Sequence, residues 1–523
     1  MRKAKTSSTL GAGTLSGSSP LAALQGWASQ TPQRLFWTFA AAHLILWTLL
    51  PSISCPNAPL DVIEGYAWGH EWLMGTYKHP PMQAWWLGAI AYLSDRASWG
   101  HFLASQIAVI LAFWAVWQTG RRMFTEQAAL LGVLLLEGVV YYNFISTEFN
   151  PNVLQLAFWA LIGNTFHRAI KENRVIDWLL LGVWSAAGLY SKYSTALLLL
   201  VLGILMLVRP EGRRHLRSLG PYLAAVVGLL LFLPQIAWLF NNAFLPFTYA
   251  WDRMQTNPNA GFITSSVRAP FFYILSQLLA VLPATVLFFA FCDRGSLPKD
   301  KRFRSFDRDF LDFVTFGPFL LTLLMAILIG IKIHDMWAMP FWNFLGLWAI
   351  ARFRAVFSKE ALRRFISGWI AVCLASVLLY TACTVYSPYV THRGLRVQFP
   401  GKPLAEKIDA AWHKRFQSPL QYVVGDTWPA GNVAFYTPEW PHVLIKGDYA
   451  ISPWISPDSV RRFGGVAVWC IQSCAYKNYE EGEPPYIRNF PHAEIQEPLT
   501  LPRQTEADVP PTRLGWAILP PAG

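Results

Sequence analysis

Charge is what this sequence is short of. Only 14% of its 523 residues are Asp, Glu, Lys or Arg, against about a quarter in soluble domains, so an ordinary water-soluble protein is excluded. Cysteine is scarce as well, with six in the chain. No two of them form a CxxC motif or pair with histidines at zinc-finger spacing, so neither a disulfide scaffold nor a metal site is implied. A phosphate-binding glycine loop is missing, because Gly464 and Gly465 lack the following x-x-G and helix. Internal repeats of the kind common in transporters are also absent. Hydrophobic residues, 54% of the total, and 25 tryptophans take their place. So much apolar surface rules out a disordered chain.

Eleven apolar stretches are predicted to be membrane spans: roughly 35–53, 99–118, 127–146, 152–169, 175–191, 193–209, 219–242, 269–292, 310–330, 337–352 and 365–386. Residues 1–30 precede them as a Ser, Thr, Gly and Ala tract with three early cations, read as a disordered cytoplasmic tail and not as a signal peptide. With the N-terminus inside, the inner turns hold 20 cations and the outer ones only six: Lys78, Arg96, Lys192, Arg253, Arg268 and Lys332. This positive-inside asymmetry accounts for the net charge of +12 without a nucleic-acid partner. The domain plan is a tail at 1–30, an all-α polytopic membrane domain at 31–386 and an extracytoplasmic α/β domain at 387–523. The last region is expected to form strands at 421-QYVVGD, 432-NVAFY, 442-HVLI and 465-GVAVWCI, and to end in a Pro-rich tail from Pro498. Cys470 and Cys474 flank 471-IQS and are read either as a disulfide or as two free thiols.

Polar groups beside a membrane are costly, so those retained at outer span ends are informative. The loop 54–98 is the richest, placing Asp61, Glu64, His70, Glu71, Lys78 and His79 ahead of Pro80 and Pro81. After the prolines, 82-MQAWWLGAIAYL suits an interfacial helix. The run 61-DVIE allows two readings: carboxyls sharing one helix face, or a capping box with Asp61 as N-cap and Glu64 as its partner. Further outer loops carry Glu148 and Asn150, then Lys192, then Lys332, His334 and Asp335. A single lysine at a helix end ordinarily snorkels. Several cations around one outer cavity would instead make an anion site, and the natural anion at that depth is a lipid phosphate.

The segments 61-DVIEGYAWG, 77-YKHPPMQAWW, 145-ISTEFNPNVLQLAFWAL, 188-GLYSKYSTALLLL and 330-GIKIHDMWAMPFW resemble membrane glycosyltransferases of the GT-C fold. The likeness is to the bacterial branch that includes lipid A aminoarabinose transferase and the lipopolysaccharide galacturonosyltransferases, with protein O-mannosyltransferases more distant. It spans roughly residues 35–352. It implies a polyprenyl-phosphate sugar as donor, no required cofactor, and an enzyme of the bacterial inner membrane whose site and C-terminal domain face the periplasm. Membrane lipids are implied partners, and the acceptor is lipid A, lipopolysaccharide core or another envelope glycolipid. A protein O-glycosyltransferase of the same fold, or a lipid or solute transporter, is the alternative.

By the same resemblance Asp61 is the base that activates the acceptor, with Glu64 its neighbour. Lys78, His79, Lys192, Lys332 and His334 are the residues near the donor phosphate. The family's lysine beside the prolines is replaced here by His79, which leaves Lys78 and His79 both eligible for the phosphate contact. Inverting single displacement is the implied chemistry.

Overall fold

The computed structural model describes residues 31–254, 267–291, 293–294, 304–353, 355–356, 358–474, 478–479 and 483–522. The tail assigned to 1–30 lies outside them. All eleven stretches expected to span contain helix. They begin with α1 (Pro32–Ser54), followed after the first loop by Ser98–Met123. By length and composition, six helices can cross a membrane singly among the described residues, or up to eight when each of two bent pairs counts as one span. The bent pairs are Glu126–Gly138 with Val140–Thr147, and Thr195–Val208 with Pro210–Arg217.

The difference from eleven has a physical reason. Helix Pro151–Glu172 is long enough to span but buried almost all round, and it carries Asn152, Gln155, Asn164, Thr165 and His167 inward. Gln155 donates to Ser194 and Thr195, and the Asn164 side chain accepts from Thr119 at 3.1 Å. Polar groups satisfied by neighbouring helices need not meet lipid, so they lower the helix's hydropathy without harm. The stretch around 337–352 starts as a 3₁₀ helix, Asp335–Phe344, and turns α-helical only at Leu345–Phe353.

Between α1 and the next long helix lie two short ones, α2 (Leu60–Gly69) and α3 (Met82–Ser94). They pack backbone to backbone. A Cβ on Gly69 would stand 2.4 Å from the Ala84 carbonyl, and one on Gly88 would stand 2.6 Å from that of Gly69. The capping-box reading of 61-DVIE does not hold. Pro59 is the N-cap of α2, Asp61 lies in its first turn, and no side chain of α2 caps it.

The C-terminal region is α/β as expected. Strands β1 (Tyr422–Gly425), β2 (His442–Ile445) and β3 (Gly465–Gln472) pair in parallel in the order β2-β1-β3. β3 then pairs antiparallel with β6 (Thr512–Leu519), which also holds the short β4 (Glu494–Ile495) and β5 (Leu499–Leu501). Two expectations are corrected. 432-NVAFY belongs to a helix, Thr427–Tyr436, which makes the crossover that parallel β1 and β2 require. The Pro-rich tail contains β6, an eight-residue strand buried along most of its length. Cys470 and Cys474 are bridged.

This domain closes over the first loop. Tyr66 of α2 stacks on Phe435 with ring centroids 4.4 Å apart, and Gly431 leaves no room for a Cβ against Ile63. Arg96 donates to the carbonyls of Phe435, Thr437 and Pro438. The first loop is therefore packed between the helical bundle and the sheet domain.

Candidate active site

A cavity of about 700 Å³ opens where α2, the loop ahead of α3 and the ends of several long helices meet. Asp61, Lys78, His79, Lys192 and His334 all line it, so five of the seven residues singled out in the sequence share one space. The other two differ. Glu64 is buried behind the wall and takes the Lys78 ammonium at 2.6 Å. Lys332 is exposed and outside the lining, its backbone N–H donating to the Met254 carbonyl at 2.8 Å.

Among the other lining residues, Tyr249, Arg253, Asn152 and Tyr141 were not singled out, and Asp335, named in the same outer loop as His334, lines the cavity as well. Glu148 is the other omission. Its carboxyl accepts the Asp61 backbone N–H at 3.3 Å, so it satisfies from a distant loop one of the N–H groups that the start of α2 leaves open. It was visible in 147-TEFNPN as an acidic residue just ahead of Asn150, which caps the next helix.

The electrostatics separate the cations. Burial opposes the charge on Lys78, but Glu64 and Asp61 outweigh it and hold the ammonium above its ordinary pKa. Lys78 is therefore a committed ion-pair partner that shows its stem, and part of its charge, to the cavity. Lys192 has a neutral partner, Asn152 Oδ1 at 2.6 Å, and its ammonium lies 5.2 Å from the Trp337 ring centroid. Burial pulls it down to about 7, with Asp61 opposing and Lys78 adding to the fall. No carboxylate among the described residues pairs with Arg253.

Both histidines are held towards the neutral form. For His79 the causes are burial, then Lys78 and Lys192. For His334 they are burial, then Arg253, Lys332 and Lys192. His79 is thus a hydrogen-bonding group in the free protein, and not the cation that a phosphate-bound imidazole would be. Burial, then the nearby Asp61, raises Glu148 to about 7. The site thus combines two adjacent carboxyls with cations that lack full compensation. Such an arrangement can receive a proton on one side and a developing anion on the other.

Comparison with known proteins fits this geometry. The family described as dolichyl-phosphate-mannose-protein mannosyltransferase matches residues 78–238. Among curated proteins, the lipopolysaccharide core galacturonosyltransferase RgtA of Rhizobium johnstonii is 25% identical over 422 residues, which are 77% of this chain and 81% of the relative. RgtB of the same organism is 23% identical over 487 residues, 91% and 94% of the two chains. Among solved structures, ArnT from Cupriavidus metallidurans bound to undecaprenyl phosphate superposes with a TM-score of 0.61, at 13% identity, over 95% of this chain and 98% of that one. The chain is a membrane glycosyltransferase of the GT-C fold. In this GT-C enzyme the carboxyls sit on α2 and in the loop after Thr147, and the cations come from the loop before α3 (Lys78), the end of helix Val175–Ser191 (Lys192) and the last turn of helix Leu245–Met254 (Arg253).

Proposed function

We propose that this glycosyltransferase moves a sugar from a polyprenyl-phosphate donor to an envelope glycolipid, on the outer face of the bacterial inner membrane. The observation that carries the reading is the convergence of Asp61 with Lys192 and Arg253 on one cavity of about 700 Å³. Two of the relatives are lipopolysaccharide core galacturonosyltransferases, and the ArnT structure holds undecaprenyl phosphate, which supports both halves of the proposal. The outward orientation rests on the 20-to-6 cation asymmetry of the turns.

In this reading Asp61 accepts the proton of the acceptor hydroxyl as its oxygen attacks the anomeric carbon. The bond from that carbon to the phosphate oxygen breaks, and its electron pair leaves with the phosphate. Lys192 and Arg253, with a hydrogen bond from His79, stabilise that charge. One in-line displacement inverts the carbon. Glu148, beside Asp61, keeps the base oriented through the α2 backbone. A protein acceptor is the second reading, favoured by the description of the family that matches residues 78–238.

The deciding experiment incubates purified enzyme with polyprenyl-phosphate sugars and either lipopolysaccharide core or an extracted envelope-protein fraction. Release of polyprenyl phosphate that depends on the glycolipid supports the proposal. Release that depends only on protein moves the acceptor to the second reading. Transfer from a nucleotide sugar alone overturns the donor assignment.

A further inference from the structure

The turn after α2 carries His70 and Glu71, and β2 of the C-terminal domain begins at His442. Glu71 and His442 are 371 positions apart in the chain. With His70 they nevertheless bring one ligand atom each to within 4.8 Å of one another. His442 Nδ1 lies 2.6 Å from Glu71 Oε1, and His70 Nδ1 lies 3.6 Å from the same oxygen. The second separation is too long for a hydrogen bond. His70 Nδ1 is sealed from solvent without a partner, a costly state for a ring nitrogen.

Packing holds the donors in place. The His70 ring stacks on Trp440 at 4.5 Å and on His442 at 4.9 Å. Arg96 lies 5.4 Å from the Trp440 ring, and it is the cation that would oppose an added positive charge. Its guanidinium is already committed to three carbonyls. Two imidazoles and one carboxylate form a donor set suited to Zn²⁺, which takes such ligands at roughly 2.0–2.2 Å and completes a tetrahedron with water. The ligand atoms would have to stand about 3.3 Å apart, within reach of side-chain rotation.

We propose that His70, Glu71 and His442 bind a zinc-class divalent ion that ties the first loop to the C-terminal domain. The Nδ1 hydrogen of His442 relocates to Nε2 as the ion takes its place beside Glu71. The segment from Glu71 to His79 runs from this cluster to the cavity, so the ion would anchor one end of it. This inference is independent of the donor and acceptor assigned above.

The test uses full-length, tag-free protein in detergent, stripped with EDTA and titrated with Zn²⁺ against a chromogenic chelator. Bound metal is counted after desalting. One ion per chain is expected, and His442→Gln and Glu71→Gln should each weaken binding at least about tenfold. His413→Gln should leave it unchanged; that residue belongs to a second cluster, with Asp409 and Glu439, which serves as the control. Zinc should also slow hydrogen exchange in segments 70–76 and 437–446 of the wild type, but not of His442→Gln. Thermal melting of the stripped variants establishes that they are folded, and His70→Gln replaces either one that is not, under the same threshold. A wild type that retains no zinc, variants with wild-type affinity, or a loss confined to His413→Gln overturns the site.

Discussion

Two cavities of similar size sit at opposite ends of the helical bundle. One, about 700 Å³, is lined by Asp61, Lys192 and Arg253. The other, about 600 Å³, is lined by Arg121, Arg122, Lys171, Arg214 and Arg304. Helix Ser98–Met123 ends at the second with Arg121 and Arg122 and adds no residue to the lining of the first. The second cavity has more cations, yet most have fixed protein partners. Arg121 meets Glu126 at 2.6 Å, Lys171 meets Asp307 at 2.7 Å, and Arg122 is bonded to the backbone and side chain of Asn164. Among the described cations that line the first cavity, Lys78 alone has a carboxylate at hydrogen-bond distance. Counting charges alone would favour the second cavity over the proposed site. Charge left without a full partner, at a cost in stability, is the better mark of a ligand site.

The largest effect is expected at Asp61. Asp61→Asn removes the proton acceptor while keeping the side chain's size, so turnover should fall by about 10²–10⁴-fold with normal protein level and membrane insertion. Glu64→Gln acts only through Lys78 and should cost less. Near-normal turnover of Asp61→Asn would mean that the carboxyl serves the fold of α2 and that the chemistry lies elsewhere.

Next come the cations. Arg253→Ala and Lys192→Ala each remove a charge-assisted contact worth about 1.5–3 kcal/mol, or roughly 10–100-fold in kcat/KM for the donor. Lys78→Ala should be distinguishable, because it also leaves Glu64 buried without its partner and so lowers thermal stability. Equal stability loss in all three variants would erase the distinction between committed and uncommitted cations.

A smaller, several-fold effect should appear on changing pH. Lys192 lies near 7 in the free enzyme, so its ammonium is complete below that value and is lost as pH rises through it. Because kcat/KM reports the free enzyme, donor use should decline above pH about 7. Lys192→Arg keeps its charge and should flatten the decline. Glu148 also titrates near 7 but becomes charged as pH rises, so Glu148→Gln tests whether the acidic limb belongs to it. A decline that persists unchanged in Lys192→Arg assigns the alkaline limb to another group.

How much of this could be read from the sequence follows from where each residue stands. Asp61, Lys78, His79, Lys192 and His334 were legible because polar groups flanking apolar runs are conspicuous. Arg253 appeared only as one of six outer cations, since nothing local says which cavity a residue in the last turn of a short helix will face. Glu148 contacts Asp61 across 87 positions, a relation that only the fold creates. The buried pair of His43 and Glu137, joined by Gln106, lay hidden inside two stretches read as plain spans. The strand assigned to 432-NVAFY failed because a short apolar run fits a buried helix equally well. Closeness in sequence left Cys470 and Cys474 open to pairing or to two free thiols, and the fold bridges them.

The smallest effect should come from the second cavity, and it tests the comparison from the other side. Asp307 is fully buried there and receives His167 Nε2 at 2.8 Å, Lys171 Nζ at 2.7 Å and the Arg304 backbone N–H at 2.8 Å. Lys171→Ala removes one of the three and leaves the carboxylate partly satisfied, so a destabilisation of about 1–3 kcal/mol is expected, seen as a lower melting temperature in detergent. The proposed reacting groups line the other cavity, which shares no lining residue with this one. Turnover per folded molecule should therefore stay within about twofold of wild type, a margin worth about 0.4 kcal/mol. A fall in kcat at unchanged melting temperature would show that these cations take part in the reaction cycle. The division between paired, structural charge at one end and unpaired, ligand-directed charge at the other would then have to be abandoned.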